Sequence, residues 1–354
     1  KFAQGDKRVA SITIPLSRSN IPAPIEQLDA IMLMARLSDK KIGATDATVP
    51  ESVPFLAEMG VVLGHKPGVF VGCCNCINPP LRLERRTAET MIQRSKYHSR
   101  SMITSMPALG GSAPVDIQGT VILATAEIVG GLILSFIIDP EAPLLGYIAS
   151  VQVDMRSGNP ASSSPQTIKV DAGVFQLMEY AFGGGTGVGG RSYISAKRPG
   201  LQAVFERFLK AVGYSELADG HMFGFSGNGN LDNGSMVSPE QYLLDMEITG
   251  GLENMWTIPA VSDEDITGRI SKNILEEGGN FLAAEHTIAN YRKEAWFPRL
   301  FSYSSKTPSE QEMLDACHAT YRETVAGYRP ASYPAEILKE LDAVYKKAKK
   351  ALIK

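Results

Sequence analysis

Three thiols crowd into four residues, Cys73, Cys74 and Cys76, and a fourth stands far off at Cys317. A structural zinc site takes four ligands in compact spacing. Here one Cys-x-x-C has no second pair near it, and Cys317-His318 is remote in sequence. Thiols this close make no ordinary disulfide framework, which points to a reducing, cytoplasmic setting. The expectation is therefore buried thiols at a strand end and no metal. The run from Gly183 to Gly190, Gly-Gly-Gly-Thr-Gly-Val-Gly-Gly, holds the spacing G-x-G-x-x-G. A dinucleotide site needs a helix starting directly afterwards and an acidic residue about 20 positions on. The next helical pattern begins only near Leu201, so the glycines read instead as a flat rim that lets a large planar group approach the backbone.

Aromatic rings recur in the same stretches: Tyr147, Phe182, Tyr193, Phe223 and Phe225. Such rings fill cores, but they also form cages around methylated ammonium groups, each good contact contributing about 0.5–2 kcal/mol. Asp154, Asp219, Asp232 and Glu240 could add a compensating charge, or serve only as caps and solvated loop residues. His221, His98 and His286 stand alone, and no Ser-His-Asp order or G-x-S-x-G elbow supports hydrolase chemistry.

Positioning these residues falls to a chain of 354 residues with a formal net charge of −3, enough for one large barrel or two medium domains. Lys+Arg 35 against Asp+Glu 38 leaves no basic excess, so nucleic-acid binding through a broad positive surface is not expected. The basic run Lys346 to Lys350 reads as the solvated end of a helix. Lys1 to Pro15 lacks the apolar region of a secretory signal. The segment from Ile117 to Ile138 is long and apolar enough to span a bilayer. Asp116 and Asp139-Pro140 bound it closely and Glu127 sits at its middle, so a buried helix and no membrane span are expected.

Short apolar runs alternate with helical patterns. Strands are expected at 10–15, 42–48, 68–76, 101–106, 144–153 and 221–225. Helices are expected at 25–39, 51–63, 85–98, 115–138, 166–180, 201–212 and 239–253. About seven βα units in succession favour a parallel sheet with outer helices, closed as a TIM-type (β/α)8 barrel over 1–300. The eighth strand is sought near Trp256 to Val261 or upstream of Lys1. Helices at 263–277 and 282–296 would pack on the barrel. Residues 301–354 form a C-terminal helical extension whose last helix, 335–352, could be an arm. In such a barrel the reactive loops follow the strands, near Asp46, Cys73–Asn78, Met106–Gly111, Tyr147–Gly158, Gly183–Ser192 and His221–Gly234.

Several segments, in order, resemble the trimethylamine methyltransferase superfamily. Gly110-Gly111-Ser112-Ala113-Pro114-Val115, followed by Ala126-Glu127-Ile128-Val129-Gly130, is similar to the family's Gly-Ala-Thr-Ala-Pro-Val and Ala-Glu-Ile-Leu-Ala. Asp154-Met155-Arg156-Ser157-Gly158 resembles Asp-Met-Arg-Thr-Gly. Ala196-Lys197 with Gln202-Ala203 and Glu206, then Leu231 to Gly234 with Glu240, Asp245 and Glu247, continue the likeness. Glu285-His286-Thr287, Tyr291-Arg292, Trp296 and Pro298 to Phe301 close it. Single motifs of this kind are weak, but six in order from about Asp46 to Phe301 are specific. The sequence departs at Ser195, where the family has Asp, and in the insert Gly227 to Asn230. Ser235 and Met236 occupy the neighbourhood where the founding members carry pyrrolysine.

The resemblance implies a barrel enzyme that moves a methyl group from an amine to cobalamin, a corrinoid carried by a partner protein. A neutral tertiary amine is a poor methyl donor, whereas a quaternary ammonium leaves as a neutral amine and needs no general acid. A quaternary amine such as glycine betaine is therefore the expected substrate. His221 and Glu240 are the expected catalytic contacts, with Tyr147, Asp154, Phe182, Gln202, Phe223 and Phe225 around the donor. Gly110, Gly111, Gly183, Gly184 and Gly185 are expected against the corrinoid. A homo-oligomer is expected. The competing expectations are a barrel that binds betaine or corrinoid without turnover, and a zinc-dependent methyltransferase from corrinoid to a thiol.

Overall fold

The computed structural model describes residues 1–14, 16–72, 74–218, 227–258, 260, 268, 270–276 and 278–353. After the short helix α1 (Phe2–Gly5), strand β1 (Ser11–Ile12) leads to α2 (Ala23–Leu37) and then β2 (Lys41–Ile42), which pairs with β1 in parallel. Helix α3 (Val53–Val62) precedes β3 (Cys74–Ile77), α4 (Arg85–Ser95) precedes β4 (Ser101–Ser105), and a short β5 (Ala108–Leu109) follows. Helix α5 (Ile117–Ile138) leads to β6 (Leu144–Ile148), β7 (Val151–Val153) and β8 (Pro160–Ala161). Next come α6 (Pro165–Phe182) and β9 (Thr186–Val188), then α7 (Leu201–Leu217), β10 (Asn230–Leu231) and β11 (Met236–Val237). Helices α8 (Pro239–Trp256), α9 (Ile270–Glu276), α10 (Glu285–Glu294), α11 (Glu310–Ala326) and α12 (Ala335–Leu352) complete the described elements.

The fold is mixed α/β. Strands β3, β4, β6 and β9 form a four-stranded sheet in that order, every neighbour parallel. A bond from the Thr45 amide to the Phe70 carbonyl at 3.0 Å ties the chain beyond β2 to the segment before β3. Beyond the ends of β4 and β6 the pairing resumes in β5 and β7, and β8 adds antiparallel to β7.

Local signals explain the helix starts. Asp116 caps α5 by accepting from the Gly119 amide, Ser164 caps α6 with Pro165 in its first turn, and Ser238 caps α8 with Pro239 behind it. Helix α5 lies close against the sheet. A Cβ on Gly131 would fall 2.6 Å from Ile103, and one on Gly146 would fall 2.6 Å from Ile128. The otherwise apolar α5 carries Glu127 inward, where it accepts from the Leu81 amide at 2.8 Å and the Ser105 hydroxyl at 2.6 Å.

Several expectations are revised. The strand expected at 42–48 is only Lys41–Ile42, because the chain turns away where the Asp46 carbonyl accepts from the Gln27 side chain. The strand expected at 68–76 shortens to Cys74–Ile77, preceded by turns around Gly68, whose φ is 81°. The strand expected at 144–153 breaks between β6 and β7, where the Ser150 amide is held by Asp171 at 2.9 Å and its hydroxyl donates to the Thr167 carbonyl. The glycine-rich stretch contains strand β9. Trp256 is the last residue of α8, and no strand follows among the described residues 257, 258 and 260. The strand expected at 221–225 lies outside the described residues. In place of an arm, α12 buries Leu341, Val344 and Ala348 in one core with α2 and α3. Helix α11, which the strand and helix pattern missed, starts with a capping box between Ser309 and Glu312.

Candidate functional site at the strand ends

The register defines which side chains share a face. Cys76 stands beside Thr104, Thr104 beside Tyr147 and Tyr147 beside Gly187. Ile103 and Gly146, one position away, meet α5, so alternation turns the Cys76 row to the opposite, inner face. Gly187 makes room for its neighbour, since a Cβ there would lie 2.9 Å from the Tyr147 ring. Past the end of β9, Tyr193 comes within electrostatic reach of Cys74, Cys76 and Asp46. Gly234 lies under the Tyr193 ring, 3.0 Å from Cε1 to a built Cβ, and Asp46 and Gly234 share an open cleft with Thr13, Ala44 and Thr45. Cys76 and Tyr147 thus lie towards the C-terminal ends of their strands and Asp46 and Tyr193 past such ends, while Cys74 opens β3 on the same face as Cys76.

Their protonation follows from this crowding. Cys76 is exposed and Cys74 half-buried, not the buried thiols expected from sequence, yet the crowding protein around Cys76, with Cys74 and Asp46 nearby, pushes its thiol up to about 11. Cys74 is raised by burial and by Asp46, and Tyr193 by burial and then by the two thiols and Asp46. At neutral pH both groups are therefore uncharged, and Cys76 lines the site as a thiol and not as a thiolate nucleophile. Asp46 has a 57% exposed side chain, with the buried Arg94 guanidinium 3.4 Å away. Among the described residues, no three His, Cys, Asp or Glu side chains are grouped to hold a metal ion.

A polar core behind the rings holds the loops by their main chain. The fully buried Arg207 donates to the carbonyls of Arg191 (3.3 Å), Ser192 (3.1 Å), Gly227 (2.9 Å) and Asn230 (2.8 Å). It pairs with Asp245 at 3.2 Å, and Asp245 also accepts from the Gly229 amide at 2.8 Å. Lys210 donates to the carbonyls of Gly190 (2.6 Å) and Tyr193 (2.5 Å). Burial pulls its pKa down to about 7, against the opposing pull of Asp171. Glu206 accepts from the amides of Ser195 (2.6 Å) and Ala196 (3.2 Å). Asn233, in the left-handed region at φ 54°, passes its amide to the Ile194 carbonyl at 2.7 Å. Tyr193 therefore sits in a loop clamped from below by Lys210 and Arg207.

The expected site residues scatter. Tyr147 joins the inner row. Asp154 closes its own turn, accepting from the Arg156 amide at 3.0 Å and the Ser157 hydroxyl at 2.8 Å, and those bonds hold its carboxyl below the usual range. Gly110 lies against Met155 of that turn and Gly111 against Val153, in the extension beyond β4 and β6. Phe182 ends α6, 60% exposed, and Gly183 is its left-handed cap at φ 71°. Gly183, Gly184 and Gly185 precede β9, so they lie at the N-terminal ends of the parallel strands, opposite Cys76 and Tyr193. Gly189 and Gly190 follow β9, at the end where Cys76 and Tyr193 lie. Gln202 donates to Glu206 at 2.7 Å beside the Ser195–Lys197 loop. Glu240 accepts from Ser238 at 2.7 Å and pairs with His318 at 2.8 Å, in the contact between α8 and α11. His221, Phe223 and Phe225, like Asp219 and Cys73, lie outside the described residues. Sequence marked Asp46 only as the place of a reactive loop and Tyr193 only among the recurring rings, and it did not single out Thr104. Asp46 and Tyr193 lie past strand ends, and Thr104 lies within β4 beside Cys76 and Tyr147.

Comparison with known proteins gives the family. Residues 16–352 match the profile of the trimethylamine methyltransferase (MTTB) family. A glycine betaine methyltransferase of Desulfitobacterium hafniense (strain Y51) is 27% identical over 288 residues, 80% of this chain and 58% of that protein. Trimethylamine methyltransferase MttB of Methanosarcina barkeri (strain Fusaro / DSM 804) is 24% identical over 279 residues, 78% of this chain and 55% of that protein. Trimethylamine methyltransferase MttB1 of Methanosarcina mazei is 26% identical over 284 residues, with 78% and 55% covered. The chain thus spans a little over half the length of these relatives. With the family profile matched along almost its entire length, the chain belongs to the trimethylamine methyltransferase family.

Proposed function

We propose that this chain transfers a methyl group from a quaternary amine of the betaine type to the cobalamin of a partner corrinoid protein, in the cytoplasm. The observation that carries this reading is the Tyr193 ring within electrostatic reach of Asp46 at an open cleft, with the Tyr147 ring on the inner row of the neighbouring sheet. Ring faces and a carboxylate attract a methylated ammonium, and a group without N–H bonds asks for no hydrogen-bond acceptor. Family membership supplies the reaction class, and the likeness to a glycine betaine methyltransferase supports the choice of donor. We take the parallel strands as an arc of a (β/α)8 barrel over residues 1–300, with the helices of 301–354 packed around it.

The corrinoid supplies the nucleophile that takes the methyl group. The chain's own part is to hold the donor, keep water from it and leave the strand ends open to a large partner. Fit to that partner rests on the small residues Gly187, Gly189 and Gly234 around the rings, where side chains would obstruct the space. A quaternary donor departs as a neutral amine, so positioning suffices and no proton has to be delivered. The neutral state of Cys76 agrees with this, because the site offers no competing thiolate.

The test is the absorbance change of cob(I)alamin mixed with the protein and a panel of amines. Glycine betaine or another quaternary amine should give transfer, and trimethylamine should give little. Transfer from trimethylamine with none from any quaternary amine would overturn the substrate class. Binding of betaine without any transfer would overturn the enzyme.

A further inference from the structure

Two thiols of β3 have no task in methyl transfer. Along Cys74–Ile77 the side chains alternate: Asn75 and Ile77 are buried, Cys74 is half-buried and Cys76 exposed. Asn75 donates to the Ser101 hydroxyl at 3.1 Å, and Ile77 packs with Met91 and Ile103. Cys74 and Cys76 therefore stand two positions apart on the opposite, inner face, and neither is in a disulfide. The parallel register fixes that face, with Cys74 beside Met102 and Cys76 beside Thr104. Burial and Asp46 push the Cys74 thiol up, and the Thr104 hydroxyl opposes them. Thr104 is the register partner of Cys76, so the Cys74 sulfur leans along the strand towards Cys76.

Residues two apart in a strand are separated by about 6.6 Å, with side chains that run parallel. Sulfurs so placed do not close to the bond length of about 2.0 Å in a disulfide unless β3 leaves β4. An atom set between them removes that demand. With metal–sulfur bonds of about 2.3 Å, a linear sulfur–metal–sulfur bridge spans about 4.6 Å. Two thiols leaning towards each other reach that span by side-chain rotation alone.

The number of ligands then selects the ion. Structural zinc sites and iron–sulfur clusters take four ligands. Among the described residues, no three His, Cys, Asp or Glu side chains gather to hold a metal. Thiolates are soft donors suited to Cu(I), which two of them satisfy. We infer that Cys74 and Cys76 form a two-thiolate site for a cuprous ion. On binding, two S–H bonds are replaced by two S–Cu bonds and two protons pass to solvent. Copper stays Cu(I), and no electron is transferred. The resulting complex carries one net negative charge. The buried Arg94 lies beside it, donating to the Cys74 carbonyl at 3.3 Å and to the Asn75 side chain at 3.0 Å. Its guanidinium supplies the compensating charge, shared with Asp46 at 3.4 Å. The exposed Cys76 is the sulfur that an incoming copper complex meets first. The inference rests on β3 and its neighbours and not on the methyl-transfer reading.

Anaerobic competition of the full chain with bicinchoninate for Cu(I) tests it. The chain should retain about one ion, and Cys74→Ser and Cys76→Ser should each weaken retention roughly a hundredfold or more. Cys73→Ser and Cys317→Ser should leave it unchanged. Circular dichroism and melting temperature of the copper-free variants should match the parent, which separates a lost ligand from a lost fold. X-ray absorption at the copper edge of the loaded parent needs no variant and should show sulfur neighbours only, in two-coordinate geometry. A parent that yields its copper to the chelator overturns the inference. So does retention that survives loss of either Cys74 or Cys76, or that requires Cys73 or Cys317. Copper with three or four neighbours overturns it as well.

Discussion

At the scale of single residues, the inner row turns on a ring and the glycine beside it. Tyr147 occupies space that only Gly187 leaves free, with 2.9 Å between the ring and a built Cβ. Gly187→Val should therefore push the ring aside, and Tyr147→Ala should remove it. Each should weaken donor binding by about two- to thirtyfold, the worth of one good ring contact, while Tyr147→Phe keeps most of the affinity. Calorimetric titration with glycine betaine checks this, and equal losses in the Phe and Ala variants would show that the hydroxyl and not the ring face is what matters. Asp154 illustrates why charge alone misleads in sequence. A carboxylate two residues before Arg156 and three before Ser157 is spent on its own turn, an arrangement short Asp side chains favour.

At the scale of elements, the loops that carry the rings depend on buried charges. Arg207 and Asp245 are both fully buried, and burial pulls the arginine down and pushes the carboxyl up, while their mutual pairing opposes both shifts. Asp245→Ala strips the guanidinium of its partner and should cost about 3–5 kcal/mol, read as a lower urea midpoint. A midpoint that does not move would mean that the four carbonyls alone suffice for Arg207. Much of this level was legible in the sequence. Caps such as Ser164-Pro165 and the long apolar run of α5 fixed helix positions to within a few residues. What stayed hidden was tertiary. Nothing near Ser150 foretells that Asp171, a helix away, will break the strand there. Alternation alone could not tell which glycines follow β9 and which precede it, because the strand itself is concealed among them. Asp46 and Tyr193 meet only because non-adjacent strands end side by side.

At the scale of the whole molecule, Lys210 links stability to pH. Its ordinary pKa of 10.5 falls to about 7 in the fold. Between those values the unfolded chain holds a proton that the folded chain has lost, so stability rises with pH across that window. Below about 7 both states are protonated and the folded chain bears the full cost of the buried charge. The neutral amine has two N–H bonds, enough for the carbonyls of Gly190 and Tyr193. Melting temperature measured from neutral to alkaline pH should rise in the parent relative to Lys210→Met, and parallel curves would show that Lys210 does not titrate there. The clamps have one more consequence. Arg207, Lys210 and Glu206 grip carbonyls, which every residue has, and amides, which every residue but proline has. Apart from glycines such as Gly190 and Gly227, where a Cβ would clash, side chains on the gripped loops are thus free to change while the loop path stays put. A lineage built on this scaffold can exchange one donor pocket for another by drift in loop sequence, without first having to reinvent the frame.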